Sequence, residues 1–348
     1  MFVLSSDITI GNFRFSGVCE VQIRRGLHSI ADSATIKIPS IARIVTEGKA
    51  EPGNVVTGNQ FSDGDPVTIK LGYNGDLQTE FRGFVKRRNL NMPLEVECEG
   101  FSWLLRRNTI NKFWSTIKVK DLLTEAVSGI ESNYKIEVQC DVDYDLGNVI
   151  ANNTSGFDII NNLSKYTDGC LSCFFIQPDI LWCGLIYSSY ANGVDVINKG
   201  LVNYRLGYNV VKDNSLIERL TENDPTEVRY SKKSSSGVVI SQTSDVFKNF
   251  GCVHSRILNQ IKDATVLKEL ANEKAYQINY SGYEGAITSF LQPYSSPGCK
   301  AFIADDRYPE RNGMYLTEGV EVKFGINGAQ RIVEIGPKVG FANDIGND

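Results

Sequence analysis

Twice in this chain one nine-residue pattern of alternating apolar residues runs into an Asn-Gly pair: VTIKLGYNG at 67–75 and VEVKFGING at 320–328. Val67, Ile69, Leu71 and Tyr73 alternate with polar residues, as do Val320, Val322 and Phe324. A period of two predicts a strand with one buried face. Asn74-Gly75 tolerates the positive φ of a tight hairpin turn, and Asn327-Gly328 stands in the same place in the second copy. The copies match at Val67, Lys70, Gly72, Asn74 and Gly75, answered by Val320, Lys323, Gly325, Asn327 and Gly328. The first return limb carries Phe81, Gly83, Phe84 and Val85. Convergence on strand–turn–Gly explains such an echo, and so do two related β-domains separated by an insertion.

The texture of the chain fits a division into three. Residues 1–110 read as short strands: ITIGNFRF, GVCEVQIRRG, SATIKIPS, the first copy, and LEVECEG. Within them, 41–65 loses the alternation and reads as a long exposed loop. Residues 111–210 read as an α+β region. One helix is expected to start at Ser115 or Thr116 and to carry Val119, Leu122, Leu123 and Val127. A second is expected to carry Phe157, Ile160, Leu163 and Tyr166 and to stop at Gly169, ahead of a hairpin turning at Gln177-Pro178-Asp179. Residues 211–348 return to strands, with SKKSSSG as a mobile, basic hairpin tip. A helix is predicted near 264–278, where Val266, Leu267, Leu270 and Ala271 form one stripe. The tail FANDIGND reads as polar and loose.

At 348 residues the chain can hold two or three cores. A net charge of −5 argues against general attraction to nucleic acid or anionic lipid. No run approaches the roughly 18 apolar residues of a membrane span. The N-terminus lacks the basic region of a signal peptide, so synthesis and folding in the cytosol are expected. Eight cysteines are scattered without a framework and read as small buried hydrophobes. The CxxC of Cys170 and Cys173 lacks a second paired half, and the chain has only His28 and His254.

Other chemistry is searched for in the same way. Asp141, Asp143 and Asp145 begin like a calcium loop, but Leu146 stands where Gly is needed and Asn152 where a bidentate Glu is needed. No G-x-S-x-G or H-E-x-x-H occurs. Cys252 and His254 would share a strand face, but no third member is evident. Glu95, Glu97 and Glu99 alternate on one strand face and read as a solvated surface. The basic, aromatic stretch 106–114 reads as a domain junction. Tyr73, Trp103 and Trp182 fall in apolar patterns that read as buried, against an aromatic platform for sugars.

GDPVTIKLGYNG followed by EFRGFV resembles the strand signature of phage tail baseplate hub proteins. That family comprises the late control protein D group, the Mu-like tail proteins and the hub halves of contractile injection spikes. VQIRRGLHSIADSATIKIPS, SGFDIINNLSKYTDGCLSCFF and the segment from EGAITSF to QRIVEIG fit in family order, so the resemblance covers most of the chain through loose structural motifs. It implies a mainly β fold with α+β parts: two tube-type β-barrel domains with an inserted α+β region. It implies a homotrimer whose six barrels form a ring joining a tail tube protein to a spike protein, with DNA passing only through the lumen. The ring would offer partners for the 41–65 loop and the Lys232-Lys233 tip. No enzyme activity, cofactor, metal or membrane binding by this chain is implied, and the place of work is a virion tail assembled in the bacterial cytoplasm. Injection-spike proteins often continue into a β-helix; here the chain ends at Asp348, so the spike is expected to be a separate polypeptide. A tail-associated peptidoglycan hydrolase and a carbohydrate-binding module are the alternatives. The first needs two carboxylates at a working separation, for which 41 Asp and Glu residues leave room.

Overall fold

The first copy of the echo forms the outgoing limb of a hairpin in the computed structural model, which describes residues 3–44, 53–130, 133–219, 225–234, 236–248 and 251–340. Pro66–Tyr73 pairs antiparallel with Asp76–Asn89, and Tyr73 stands opposite Asp76 across the two-residue turn. The second copy lies in Gly313–Gly325, paired antiparallel with Gly328–Gly340. The two hairpins belong to one 13-stranded sheet. From Gly313–Gly325 the path passes through Glu20–Gly26, Ser33–Ile38, Leu94–Glu99, Asp76–Asn89, Pro66–Tyr73 and Leu4–Ile10 to Phe13–Phe15. In the other direction it runs through Gly328–Gly340 and Gly282–Ser289 to Val210–Arg219.

The fold is mostly β, and both hairpins belong to one sheet in which the described strands form no closed barrel. The reason lies in Gly313–Gly325, a strand long enough to serve two cores. Its first half pairs with Lys300–Ala304 and its second half with Glu20–Gly26. Tyr315 and Leu316 lie fully buried in the first half, and Tyr315 joins Tyr204, Val210, Tyr283, Ile287, Ile303, Val333 and Ile335 in one β core. Val320, Val322 and Phe324 of the second half join Ile8, Val21, Ile36, Val67, Ile69, Leu71, Phe81 and Val96 in another. Burial of each such side chain contributes about 1.5–3 kcal/mol, enough to fix the register on both sides.

Among the described residues five helices accompany the sheets: α1 (Ser102–Leu105), α2 (Val119–Val127), α3 (Gly156–Tyr166), α4 (Tyr187–Ala191) and α5 (Ala264–Ile278). α2 and α3 bury Leu122, Leu123, Phe157, Ile160 and Leu163 in the largest core, and α5 buries Val266, Leu267, Leu270 and Ala271 in the same one. Val228 and Tyr230 also enter that core, from the small sheet of Thr226–Lys233, Val239–Thr243 and Cys252–Ile257. The last third of the chain thus contributes a helix and a sheet to the α+β core. Thr226–Lys233 and Val239–Thr243 form the hairpin expected around the basic tip. Ser172–Gln177 and Ile180–Gly184 form the hairpin at Gln177-Pro178-Asp179.

Several local expectations change. The 41–65 stretch is no continuous loop: Ile41–Ile44 pairs with Gly53–Val56, a 3-10 turn follows at Thr57–Asn59, and Phe61 is buried. Residues 45–52 and the tail 341–348 lie outside the described residues. Ser115 and Thr116 do not start a helix. They continue the strand Thr109–Lys118, paired with Asp145–Ser155, because its polar residues face outward while Ile110 and Ile117 face the core. α2 begins only at Val119. α3 is capped by Ser155, whose hydroxyl accepts from Asp158 N at 3.1 Å. It stops where Asp168 and Gly169 both take positive φ.

Candidate functional site

Strand register defines one end of the sheet as a row of turns. Gly325 stands opposite Glu20, Glu20 opposite Lys37, Lys37 opposite Glu95, and Glu95 opposite Asn89. The turn at 90–93 and the turn at 326–327 therefore emerge at the same end. The Ile41–Ile44/Gly53–Val56 hairpin follows Ile38 there, and the Ser40 hydroxyl donates to Asn91 O at 3.1 Å. Turns should be polar, yet Met92 is 91 % exposed, Ile326 85 % and Leu90 75 %, with Ile41 and Val56 also exposed. Between the turns opens a cavity of about 480 Å³ lined by Cys19, Lys37, Pro93, Phe324, Ile326 and Gln330. A cluster of exposed apolar side chains around a hollow, with the Lys37–Glu20 ion pair (2.8 Å) on its rim, has the chemistry of a protein-binding face.

The lateral edges are the second notable surface. Val210–Arg219 ends the sheet on one side and Phe13–Phe15 on the other. Val211 and Ile217 point outward from the first, more than half exposed. An edge of this length presents backbone donors and acceptors that another strand can pair.

The residues singled out by the echo do structural work within this frame. Val67, Ile69, Phe81, Val320 and Val322 are buried in the same β core. Tyr73 is half-buried, and its hydroxyl accepts from Leu291 N at 3.3 Å. Asn74 and Gly75 take φ of 54° and 86°, and the Asn74 side chain accepts from Val3 N at 2.9 Å. A Cβ on Gly72 would lie 1.7 Å from Asp76 O, and one on Gly83 2.3 Å from Glu99 O. On Gly325 it would lie 2.4 Å from Cys19 O, so all three glycines answer close backbone approach. The second turn differs from the first: Gly325 pairs with Gly328, Ile326 and Asn327 form the loop, and Gly328 alone among these four takes positive φ. Five strand steps separate the copies in an antiparallel path, so the Asn74-Gly75 tip lies at the end opposite Ile326.

Polar clusters also lie in the interior among the described residues, and three of those that follow join residues far apart in sequence. Arg331, 1 % exposed, donates from Nη2 to Glu80 Oε1 at 2.6 Å, from Nη1 to Ser295 O at 3.1 Å and from Nε to Leu291 O at 3.0 Å. Glu273, fully buried on α5, accepts from Ile186 N, Tyr187 N and Ser188 N at 2.7–2.9 Å, the N-terminus of α4. Burial raises its carboxyl above the usual range against those donors. Asp168 accepts from Tyr230 Oη at 2.9 Å and lies 2.6 Å from His254 Nε2. Burial pushes the Asp168 carboxyl up, but the His254 and Tyr230 hydrogen bonds and the Lys274 charge hold it below its ordinary value. The fourth cluster, Arg25 and Asp32 at 3.1 Å, faces a cavity of about 660 Å³ with Lys199, which burial and Arg25 pull down to about 8.

These groups are arranged for structure. His254 meets Asp168 instead of Cys252, which is exposed, and the thiol nearest Tyr230 is the buried Cys170, pushed up to about 12 by desolvation. Glu99 corrects the picture of a solvated carboxylate row. It is buried, accepting from Ser102 Oγ at 2.8 Å and Arg106 Nε at 2.7 Å, with Lys86 at 3.1 Å. Arg106 also stacks 3.4 Å over Phe157 and Arg107 3.7 Å over Trp103, so 106–114 joins the first strands to the α+β core. Asp141 accepts from the Trp182 indole at 2.8 Å, Asp143 pairs with Lys118, and Asp145 lies in a strand. Among the described residues no group of three or more His, Cys, Asp or Glu is placed to hold a metal ion.

No protein-family model and no curated protein matches the sequence. Solved structures do match the fold. A tail protein from Neisseria meningitidis MC58 superposes with a TM-score of 0.64 at 13 % identity, covering 95 % of this chain and 96 % of that one. The 43 kDa tail protein of prophage MuSo2 from Shewanella oneidensis gives 0.61 at 9 % identity, covering 96 % and 98 %. An E. coli component of the type VI secretion system, described as structurally similar to two T4 bacteriophage tail proteins, gives 0.60 at 11 % identity, covering 95 % and 76 %. The chain shares the fold of these proteins along nearly its whole length.

Proposed function

We propose that the chain is a structural subunit of a phage or phage-like tail: a baseplate hub, three copies of which close into a ring between tail tube and spike. The observation that carries this reading is the end-to-end match of fold to tail proteins, with both β cores and the α+β core included. The two β cores of one protomer, repeated three times, supply six similar units around a channel, the number needed to seat a six-fold tube. Lateral closure gives the Val210–Arg219 and Phe13–Phe15 edges partners, which removes an aggregation hazard. The apolar turns at Leu90, Met92 and Ile326 form an axial face for the tube or the spike. Catalysis has no place in this proposal, since the interior carboxylates and the His254 imidazole are occupied by structural partners. The role is assigned to the virion tail, with DNA only passing through.

Electron microscopy of the purified protein tests the proposal. Three-fold rings with a central opening are expected. Discrete single protomers at every concentration, together with release of fragments from purified peptidoglycan, would overturn it in favour of a hydrolase.

A further inference from the structure

Three cysteines far apart in sequence stand side by side across one small sheet. Glu137–Cys140 pairs in parallel with Ile180–Gly184, and Ser172–Gln177 pairs with that same strand from its other side. The registers place Cys140 opposite Cys183 and Cys183 opposite Cys173. Residues directly opposite share a face, so the three thiols form a row with Cys183 at its centre. Their neighbours Phe174 and Trp182 turn to the other face and a different core. Cys173 Sγ donates to Cys183 Sγ at 3.2 Å, while Cys140 Sγ lies 3.3 Å from Val142 O. Cys183 is fully buried, but Cys140 and Cys173 are part-open. Cys173 also lines a cavity of about 190 Å³ with His28 and Lys274, and the partial exposure of Cys140 opens the other end of the row to solvent.

We propose that Cys140, Cys183 and Cys173 form a thiol–disulfide exchange site that reacts with one low-molecular-weight disulfide and closes an intramolecular disulfide with Cys183 as the shared sulfur. Neighbouring strands lie about 4.8 Å apart, and the opposed Cα atoms of the antiparallel Cys173–Cys183 pair about 4.5–5.5 Å, so both spacings fall inside the span a disulfide bridges. Interaction between the two neighbouring sulfurs lowers the Cys140 thiol and raises the fully buried Cys183 thiol, which makes the part-open Cys140 the attacking sulfur of the pair. The Cys140 thiolate attacks one sulfur of the small disulfide; a bond forms to Cys140, and the first small thiolate leaves and takes up a proton. Cys183 then gives up its proton and attacks the Cys140 sulfur, expelling the second small thiol. Two protein thiols are oxidised, one small disulfide is reduced to two thiols, and the two protons end on those thiols. Cys173, in contact with Cys183, can exchange with Cys140 for the bridge. The site acts on the fold of one chain and does not depend on a role in a tail.

The test treats the reduced, full-length protein with bis(2-hydroxyethyl) disulfide at pH 7.5, quenches with acid, and maps the cysteine peptides by mass spectrometry. The expected product joins Cys183 to Cys140 or Cys173, is reversed by reductant, and forms while the buried Cys98 and Cys170 stay free. Exposed Cys252 carries an open mixed disulfide and serves as the internal standard. Cys183→Ala should lose closure and accumulate the mixed disulfide on Cys140, and Cys140→Ser should close roughly fivefold more slowly, as loss of the first attacking sulfur requires. Should Cys183→Ala fail to fold, the wild-type peptide map alone decides. Three thiols left free, or capped singly without closure, while Cys252 is fully capped would overturn the proposal. So would modification of Cys98 and Cys170 at the same rate.

Discussion

The Arg331–Glu80 pair is the sharpest energetic commitment of the fold, because it buries two opposite charges between strands 251 residues apart. Replacing Arg331 by Met leaves the Glu80 carboxylate in the interior with no counter-charge, and strips Leu291 O and Ser295 O of their donors. Breaking a buried pair from one side costs about 3–5 kcal/mol. The double variant Glu80→Leu/Arg331→Met removes the stranded charge and leaves only the two carbonyls, at about 1 kcal/mol or more each. It should therefore lie roughly 2 kcal/mol below wild type, higher than the single variant. Equilibrium urea unfolding followed by far-ultraviolet circular dichroism, at one protomer concentration, measures all three proteins together with Glu80→Leu. A single variant that loses less than about 1 kcal/mol would refute the reasoning. So would a double variant that falls by the sum of the two singles, since that sum means the charges do not interact.

Three further outcomes follow from other clusters. Asp168→Asn keeps the backbone, because Asn tolerates the φ of 52°, but removes the depressed carboxyl. The stability that Asp168 supplies is present above its unfolded value and lost as pH falls through the folded one, so wild-type Tm should drop more steeply than that of the variant below about pH 4. Equal slopes would show that the His254 and Tyr230 contacts carry no coupling. Glu273→Ala should cost about 3 kcal/mol and sharply raise hydrogen exchange at the amides of residues 186–188; unchanged protection there would contradict its capping role. Gly72→Ala meets backbone 1.7 Å away and should destabilise well beyond Gly75→Ala, where only the φ of 86° opposes the side chain, at about 1–2 kcal/mol. Comparable losses in unfolding free energy would refute the close-approach reading.

What the sequence made legible was periodicity. Leu122, Leu123, Ile160, Leu163, Leu267 and Leu270 fall in the core because a 3.6-residue stripe must be buried, and Val67, Ile69, Val320 and Val322 because a two-residue alternation must be. Boundaries failed where a neighbour decides: Ser115 and Thr116 look like a helix start until Asp145–Ser155 supplies a strand partner. The alternation of Glu95, Glu97 and Glu99 hid the burial of Glu99, which depends on Arg106 and Lys86 arriving from elsewhere. The long strand Gly313–Gly325 reads locally as one limb of a hairpin, and nothing in it announces that it serves two cores. The exposed apolar turns at Met92 and Ile326 were readable as an anomaly: both break the rule that turns are polar. His254 and Asp168, 86 residues apart, left no local signal.

The central claim is that the protein works as a closed ring of three. Sedimentation velocity over a hundredfold range of protomer concentration tests it most directly. The account predicts a single species of three times the 38.6 kDa protomer mass that persists on dilution, because closed rings with large interfaces resist dissociation. A dimer, or a monomer throughout the range, would contradict it.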